Sequence, residues 1–154
     1  MNGKAFVDTN ILIYAHDKQG GQKPARAQWL LTRLWNEGRG VLSTQVLQEF
    51  CVNVRRKFQQ PMSSKQVREA VLVYGRWQTV VNATEAVLQA LDIEERHRLS
   101  FWDAMIVQAA QSAKCEILYS EDFAHGREYD SVLVVNPFVD EEMSRQPAED
   151  PREI

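Results

Sequence analysis

The chain has 154 residues, 44% of them hydrophobic and 25% charged, a balance that fits one globular domain with a real core and argues against a disordered or fibrous chain. No stretch reaches the roughly 18 apolar residues of a membrane span and no signal-peptide pattern opens the chain, so a cytoplasmic protein without a membrane partner is expected. The formal charge of −3 is unevenly spread: Asp140, Glu141, Glu142, Glu149, Asp150 and Glu153 crowd residues 140–154, leaving residues 1–139 close to neutral, which permits a polyanionic partner without arguing for one. Cys51 and Cys115 lie far apart, and His16, His97 and His125 are equally scattered. None has zinc or redox spacing, so thiol and histidine–metal chemistry are set aside.

In chain order, Ala5-Phe6-Val7 reads as a buried strand that stops at Asp8-Thr9-Asn10, small polar residues of the kind that cap helices. Ile11 to Ala15 restart an apolar pattern as a short helix, and Asp17 to Pro24, with Gly20-Gly21, reads as a loop. Ala27, Trp29, Leu30 and Leu34 predict a helix from Ala25 to Glu37, stopped by Gly38. Val41-Leu42 is a very short strand, and Ser43-Thr44 starts a helix to about Lys57 with Val46, Leu47, Phe50, Cys51, Val54 and Phe58 as its apolar stripe. Ser63 and Gln66 form a capping box for a helix that turns Val67, Ala70, Val71 and Tyr74 to one face.

Thr79-Val80-Val81 reads as a strand, and Asn82 with Glu85 as a second capping box. The helix beyond is expected to bury Val87, Leu88 and Leu91 before it becomes charged. Ser100 begins another helix, apolar at Trp102, Met105, Ile106, Ala109, Ala110 and Ala113. Ile117-Leu118-Tyr119 is a strand ending at Ser120-Glu121-Asp122, and Val132 to Val135 is the last strand, after a polar loop. Four or five short, continuously apolar strands alternate with longer helices, the pattern of a parallel sheet covered on both faces. The domain is expected to span residues 1–139, and the charged, Pro-containing segment 140–154 to be a disordered tail.

Four carboxylates stand out. Asp8 sits at a strand end, where it is as readily a helix cap as a ligand. Glu49 lies on the shoulder of an apolar stripe, beside Asn53 one turn on, where partial burial is expected and a structural role is commoner than a functional one for a single Glu. Asp103 falls at the third position of a capping box begun by Ser100, yet its helical angle directs it toward the buried face, where an acid needs a partner. Asp122 follows a strand as Asp8 does and could be a turn residue. Together they read differently, because in a parallel sheet all four can lie over one carboxyl edge. Such a cluster calls for a counter-charge, no set of lysines sits at matching positions, and a hard divalent cation, Mg²⁺ or Mn²⁺, suits oxygen ligands. Sites of this kind hydrolyse phosphodiesters with a metal-activated water. Arg55-Arg56-Lys57 reads first as a helix C-terminus favoured by the dipole and second as an RNA contact, and Arg96, Arg98 and Trp102 form a second basic patch.

The motifs Val7-Asp8-Thr9-Asn10, Ser43 to Phe50, Ser100-Phe101-Trp102-Asp103-Ala104 and Leu118 to Asp122 resemble, in order and spacing, the PIN-domain nucleases, and among them the ribonuclease toxins of bacterial type II toxin–antitoxin modules. The resemblance runs from Phe6 to about Phe138. It implies an α/β/α sandwich with a mainly parallel sheet and metal-ligand roles for Asp8, Glu49, Asp103 and Asp122. Thr9, Asn10 and Ser120 match the polar residues that brace the acids. It further implies metal-dependent cleavage of single-stranded RNA, a small protein antitoxin as partner, and a homodimer.

Two other readings remain open on the residues. A phosphatase of the haloacid dehalogenase type would use Asp8 as nucleophile, but Asn10 stands where that pattern has a second acid. A non-catalytic metal- or partner-binding domain, such as a receiver-like module, would need an acidic pair at the first strand, which Asp8 lacks.

Overall fold

The computed structural model describes residues 3–140, so the tail expected over 140–154 lies outside the described residues except for Asp140. Six strands and six helices follow one another as β1 (Ala5–Val7), α1 (Thr9–Ala15), α2 (Lys23–Glu37), β2 (Gly40–Ser43), α3 (Thr44–Arg56), α4 (Ser64–Tyr74), β3 (Gln78–Val80), α5 (Thr84–His97), α6 (Phe101–Ser112), β4 (Ile117–Tyr119), β5 (Glu128–Tyr129) and β6 (Val132–Val135). One mixed sheet has the order β3-β2-β1-β4-β6-β5. Every pairing is parallel except that of β5 with β6, a two-residue antiparallel edge inside the segment expected to be loop.

The topology follows from handedness. From β1 the chain moves outward through β2 to β3, then returns across the sheet to pair β4 with the other side of β1. Right-handed crossovers therefore put α5 and α6 on the face opposite α1 to α4. The sheet reverses its winding between β1 and β4, and in open α/β sheets the crevice at the carboxyl ends of such a strand pair is where ligands bind.

Local sequence explains most boundaries. Ser43 and Ser100 cap α3 and α6 by accepting from the backbone N–H of Val46 and Asp103, and Ser63 with Gln66 forms the expected reciprocal box. Gly38 ends α2 in the left-handed conformation (φ 66°) that glycine adopts without a Cβ penalty. Gly40 answers to a close approach, since a Cβ there would stand 2.3 Å from the Trp77 ring. The core is continuous across the sheet and includes Phe6, Ile11, Leu12, Leu30, Leu34, Phe50, Ile93 and Leu118. Each large apolar side chain so buried contributes about 1.5–3 kcal/mol. Among the described residues no helix is long and apolar enough to cross a membrane.

Two local expectations are overturned on α5. Asn82 is not its cap: Ala83 occupies that position without a side-chain bond, while the Asn82 amide oxygen accepts from Gln108 Nε2 at 3.0 Å. Nor are Val87, Leu88 and Leu91 buried; they face solvent, and Ala90 and Ile93 face inward. The reason is the partner surface. α6 presents Ala109 and Ala110 among its buried residues, and a small residue such as Ala90 lets the two helix backbones approach more closely than leucines would. Val81, expected in β3, lies just beyond it and is exposed.

Candidate active site

Each acid reaches the carboxyl edge of the sheet by a local rule. β1 ends at Val7, and Asp8 in extended conformation caps α1, its Oδ1 accepting from the Thr9 backbone N–H at 2.7 Å. α3 leaves β2 through the Ser43 cap and raises Glu49 over the same edge. β4 ends at Tyr119, whose carbonyl accepts from the Asp8 N–H at 3.0 Å, so that Ser120 to Asp122 lie beside the start of α1.

A hydrogen-bond network ties these points together. Ser120 Oγ donates to Asp8 Oδ2 at 2.7 Å and accepts from the Asp122 backbone N–H at 3.1 Å. Asn10 Nδ2 donates to Asp122 Oδ2 at 3.0 Å, and its Oδ1 accepts from the Glu121 N–H at 3.3 Å. Thr9 Oγ1 donates to Glu49 Oε2 at 2.7 Å, while Gln45 Nε2 holds Glu49 Oε1 at 2.9 Å and also reaches the Trp102 carbonyl at 3.2 Å. Thr9, Asn10 and Ser120 thus each donate to one of these carboxylates.

Asp8 is 5% exposed. Burial pushes its carboxyl up to about 7 against the opposing hydrogen bonds from Ser120 and Thr9, with the charges of Asp122 and Glu49 adding to the rise. Asp103 is half-buried at the third position of α6, its backbone N–H donating to Ser100 Oγ at 3.2 Å. Its carboxyl is also raised, first by burial and then by Asp122 and Glu49, so it feels the same field without sharing their hydrogen bonds. Among the described residues no three His, Cys, Asp or Glu side chains are arranged to enclose a metal ion. Each carboxylate is instead held by its own donors. The chemistry of the donor set nevertheless fits a hard cation: carboxylate oxygens at Asp8, Glu49 and Asp122, with the buried Gln45 Oε1 lacking any hydrogen-bond donor.

Asp8, Glu49 and Asp122 open into a cleft of about 420 Å³ that Asn10, Asn53 and Lys57 also line, and Asp103 is not part of that lining. Lys57 lies at the end of α3 with its side chain exposed, and the cleft includes it. At the rim Lys23 pairs with Glu121 and donates to Tyr14 Oη at 3.3 Å. Lys57 is met in the sequence as a candidate RNA contact, whereas Gln45 and this rim pair are not. Gln45 carried a usable signal, a glutamine one helical turn before Glu49, whereas Lys23 and Glu121 meet only through the fold.

The PIN domain family model matches residues 5–146. No curated protein matches the chain. Among solved structures, the Mycobacterium tuberculosis toxin VapC20, described as cleaving the sarcin-ricin loop, is similar at 19% identity and a TM-score of 0.60 over 77% of this chain and 90% of its own. A toxin–antitoxin complex from Klebsiella pneumoniae matches at 17% identity and a TM-score of 0.65, covering 84% of this chain and 96% of that one. VapBC2 from Rickettsia felis, bound to a DNA fragment from its promoter, matches at 15% identity, a TM-score of 0.57 and the same coverage. At these identities the likeness is one of fold.

Proposed function

Because the chain belongs to the PIN domain family, we propose that it is a metal-dependent single-strand endoribonuclease and the toxin of a type II toxin–antitoxin module. The observation that carries this reading is the meeting of Asp8, Glu49 and Asp122 through Thr9, Asn10 and Ser120 at the sheet's switch point. Asp8, Glu49, Asp103 and Asp122 are the residues that would hold a divalent cation, Mg²⁺ or Mn²⁺. Such an ion supplies charge neutralisation and Lewis acidity toward a phosphodiester.

The chain's own residues do the positioning. Ser120 and the Thr9 N–H fix both Asp8 oxygens, Thr9 Oγ1 and Gln45 fix both Glu49 oxygens, and Asn10 holds Asp122. Oriented carboxylates need no reorganisation when a charged ligand enters, which is the main way a folded site exceeds water as a solvent for charge. Asn10 donates where a dehalogenase-type phosphatase needs a second acid, so nothing at this site favours that reading.

The toxin–antitoxin complexes among the similar structures support a small antitoxin as partner. The exposed apolar residues Val87, Leu88 and Leu91 on α5 support a second copy of the chain as another. The test is cleavage of single-stranded oligoribonucleotides by the purified, antitoxin-free chain. Cutting that needs Mg²⁺ or Mn²⁺, stops in EDTA, leaves 5′-phosphate and 3′-hydroxyl ends and is lost in Asp8→Asn and Glu49→Gln is expected; cutting that survives in either variant would sink the reading.

A further inference from the structure

The acid cleft does not end at Glu49. Asp17 and Phe58, which line it, also line a second cavity of about 260 Å³, so the two adjoin past the end of α3. The chemistry changes between them. The first compartment is walled mainly by carboxylates, whereas the second has Asp17 as its one acid beside Lys18, Gln19, Gln59, Gln60 and Gln66. Gln66 spends its Oε1 on the Ser63 N–H. The side chains of Lys18, Gln19, Gln59 and Gln60 have no hydrogen-bond or ion-pair partner among the described residues, and neither does that of Lys57.

Unengaged amides, each with a donor and an acceptor, beside an aromatic ring are poor ligands for an ion and good ones for an unpaired base, whose edges need both and whose face stacks. Lys57 follows Glu49 by eight residues of helix, on the order of 12 Å along the axis. That spacing suits a neighbouring phosphate of the same strand.

We propose that this second compartment is a nucleotide subsite for the single-stranded RNA substrate: a base flanking the cleaved bond lies against Phe58 and bonds to Gln59 and Gln60, while Lys57 and Lys18 contact its phosphates. The subsite rests on the ribonuclease reading of the acid cleft and adds where the strand runs and what reads it. It makes Gln59 and Gln60 determinants of sequence preference, and Lys57 a binding residue with no part in the chemistry.

The experiment measures two quantities on the full chain with fluorescein-labelled oligoribonucleotides of mixed sequence. One is binding by anisotropy in EDTA; the other is cleavage in Mg²⁺ or Mn²⁺. The Gln59→Ala/Gln60→Ala double variant and Lys57→Ala change exposed side chains only, and Phe58→Leu keeps the apolar packing while removing the ring face. Each is expected to weaken binding about ten-fold and raise KM in proportion, with kcat held within about two-fold. The glutamine variant should also relax base preference at one position beside the cut, and Lys57→Ala should lower the salt slope of binding by about one. Wild type that cuts while all three variants match it in binding, KM and preference overturns the subsite alone. Wild type that binds with this sensitivity but cuts with neither metal keeps the subsite and overturns the ribonuclease, and wild type that neither binds nor cuts overturns both.

Discussion

Asp8 serves two demands, capping α1 and facing two other acids from a buried position. Its folded carboxyl, raised to about 7, holds a proton that the unfolded chain releases near its ordinary value of 3.8. The native state therefore binds more protons between those values, and the stability this brings is complete below about pH 4 and lost as pH rises through about 7. In EDTA the wild-type unfolding free energy should fall across that interval. Asp8→Asn should flatten the fall and be more stable by about 1–3 kcal/mol at pH 8, while losing cleavage by about 100-fold or more. A denaturant series at several pH values checks the first part and single-turnover cleavage the second. Ser120→Ala removes the hydrogen bond that most opposes the rise. The acid limb of its pH–rate profile should move to higher pH, at a stability cost of about 1.5–3 kcal/mol above that limb, where the bond is to a charged acceptor.

At the scale of elements, α5 separates two meanings of one motif. Asn82 and Glu85 have the spacing of a cap, yet Asn82 serves the buried Gln108 of α6 and its backbone N–H donates to Thr44 Oγ1 at 3.3 Å. Asn82→Ala should leave a buried amide unpaired and cost about 1–3 kcal/mol, whereas Glu85→Ala should stay within about 0.5 kcal/mol, by thermal or urea unfolding. A true capping box would make the two losses comparable. The box at Ser63 and the cap at Ser100 were legible because their partners lie within one turn. The inward face of α5 was not, since the largest apolar residues of a helix mark its buried side only when the opposing surface has room for them.

Across the whole molecule, the stripe of Val87, Leu88 and Leu91 lies apart from the acid cleft. Leu88 is 57% exposed, so Leu88→Glu should leave the fold intact, with unfolding changed by no more than about 0.5 kcal/mol per chain. If a second copy packs there, light scattering should show the wild type as a dimer and the variant as a monomer. An unchanged mass would move the self-association surface elsewhere.

The short parallel strands, the serine caps of α3, α4 and α6, and the acids at strand ends and helix starts were readable from the chain, because periodicity and capping act over a few neighbouring residues. What those acids touch was decided only by the fold. Thr9 meets Glu49 across 40 residues and Ser120 meets Asp8 across 112, and these contacts turn separate cap-like acids into one braced cluster. Gln45, Lys57 and the groove past Phe58 belong to the same class, their neighbours being set by strand order and crossover handedness. Local sequence carries the conformation of a segment, but the field at a buried carboxylate is the sum over groups that only the folded topology brings near.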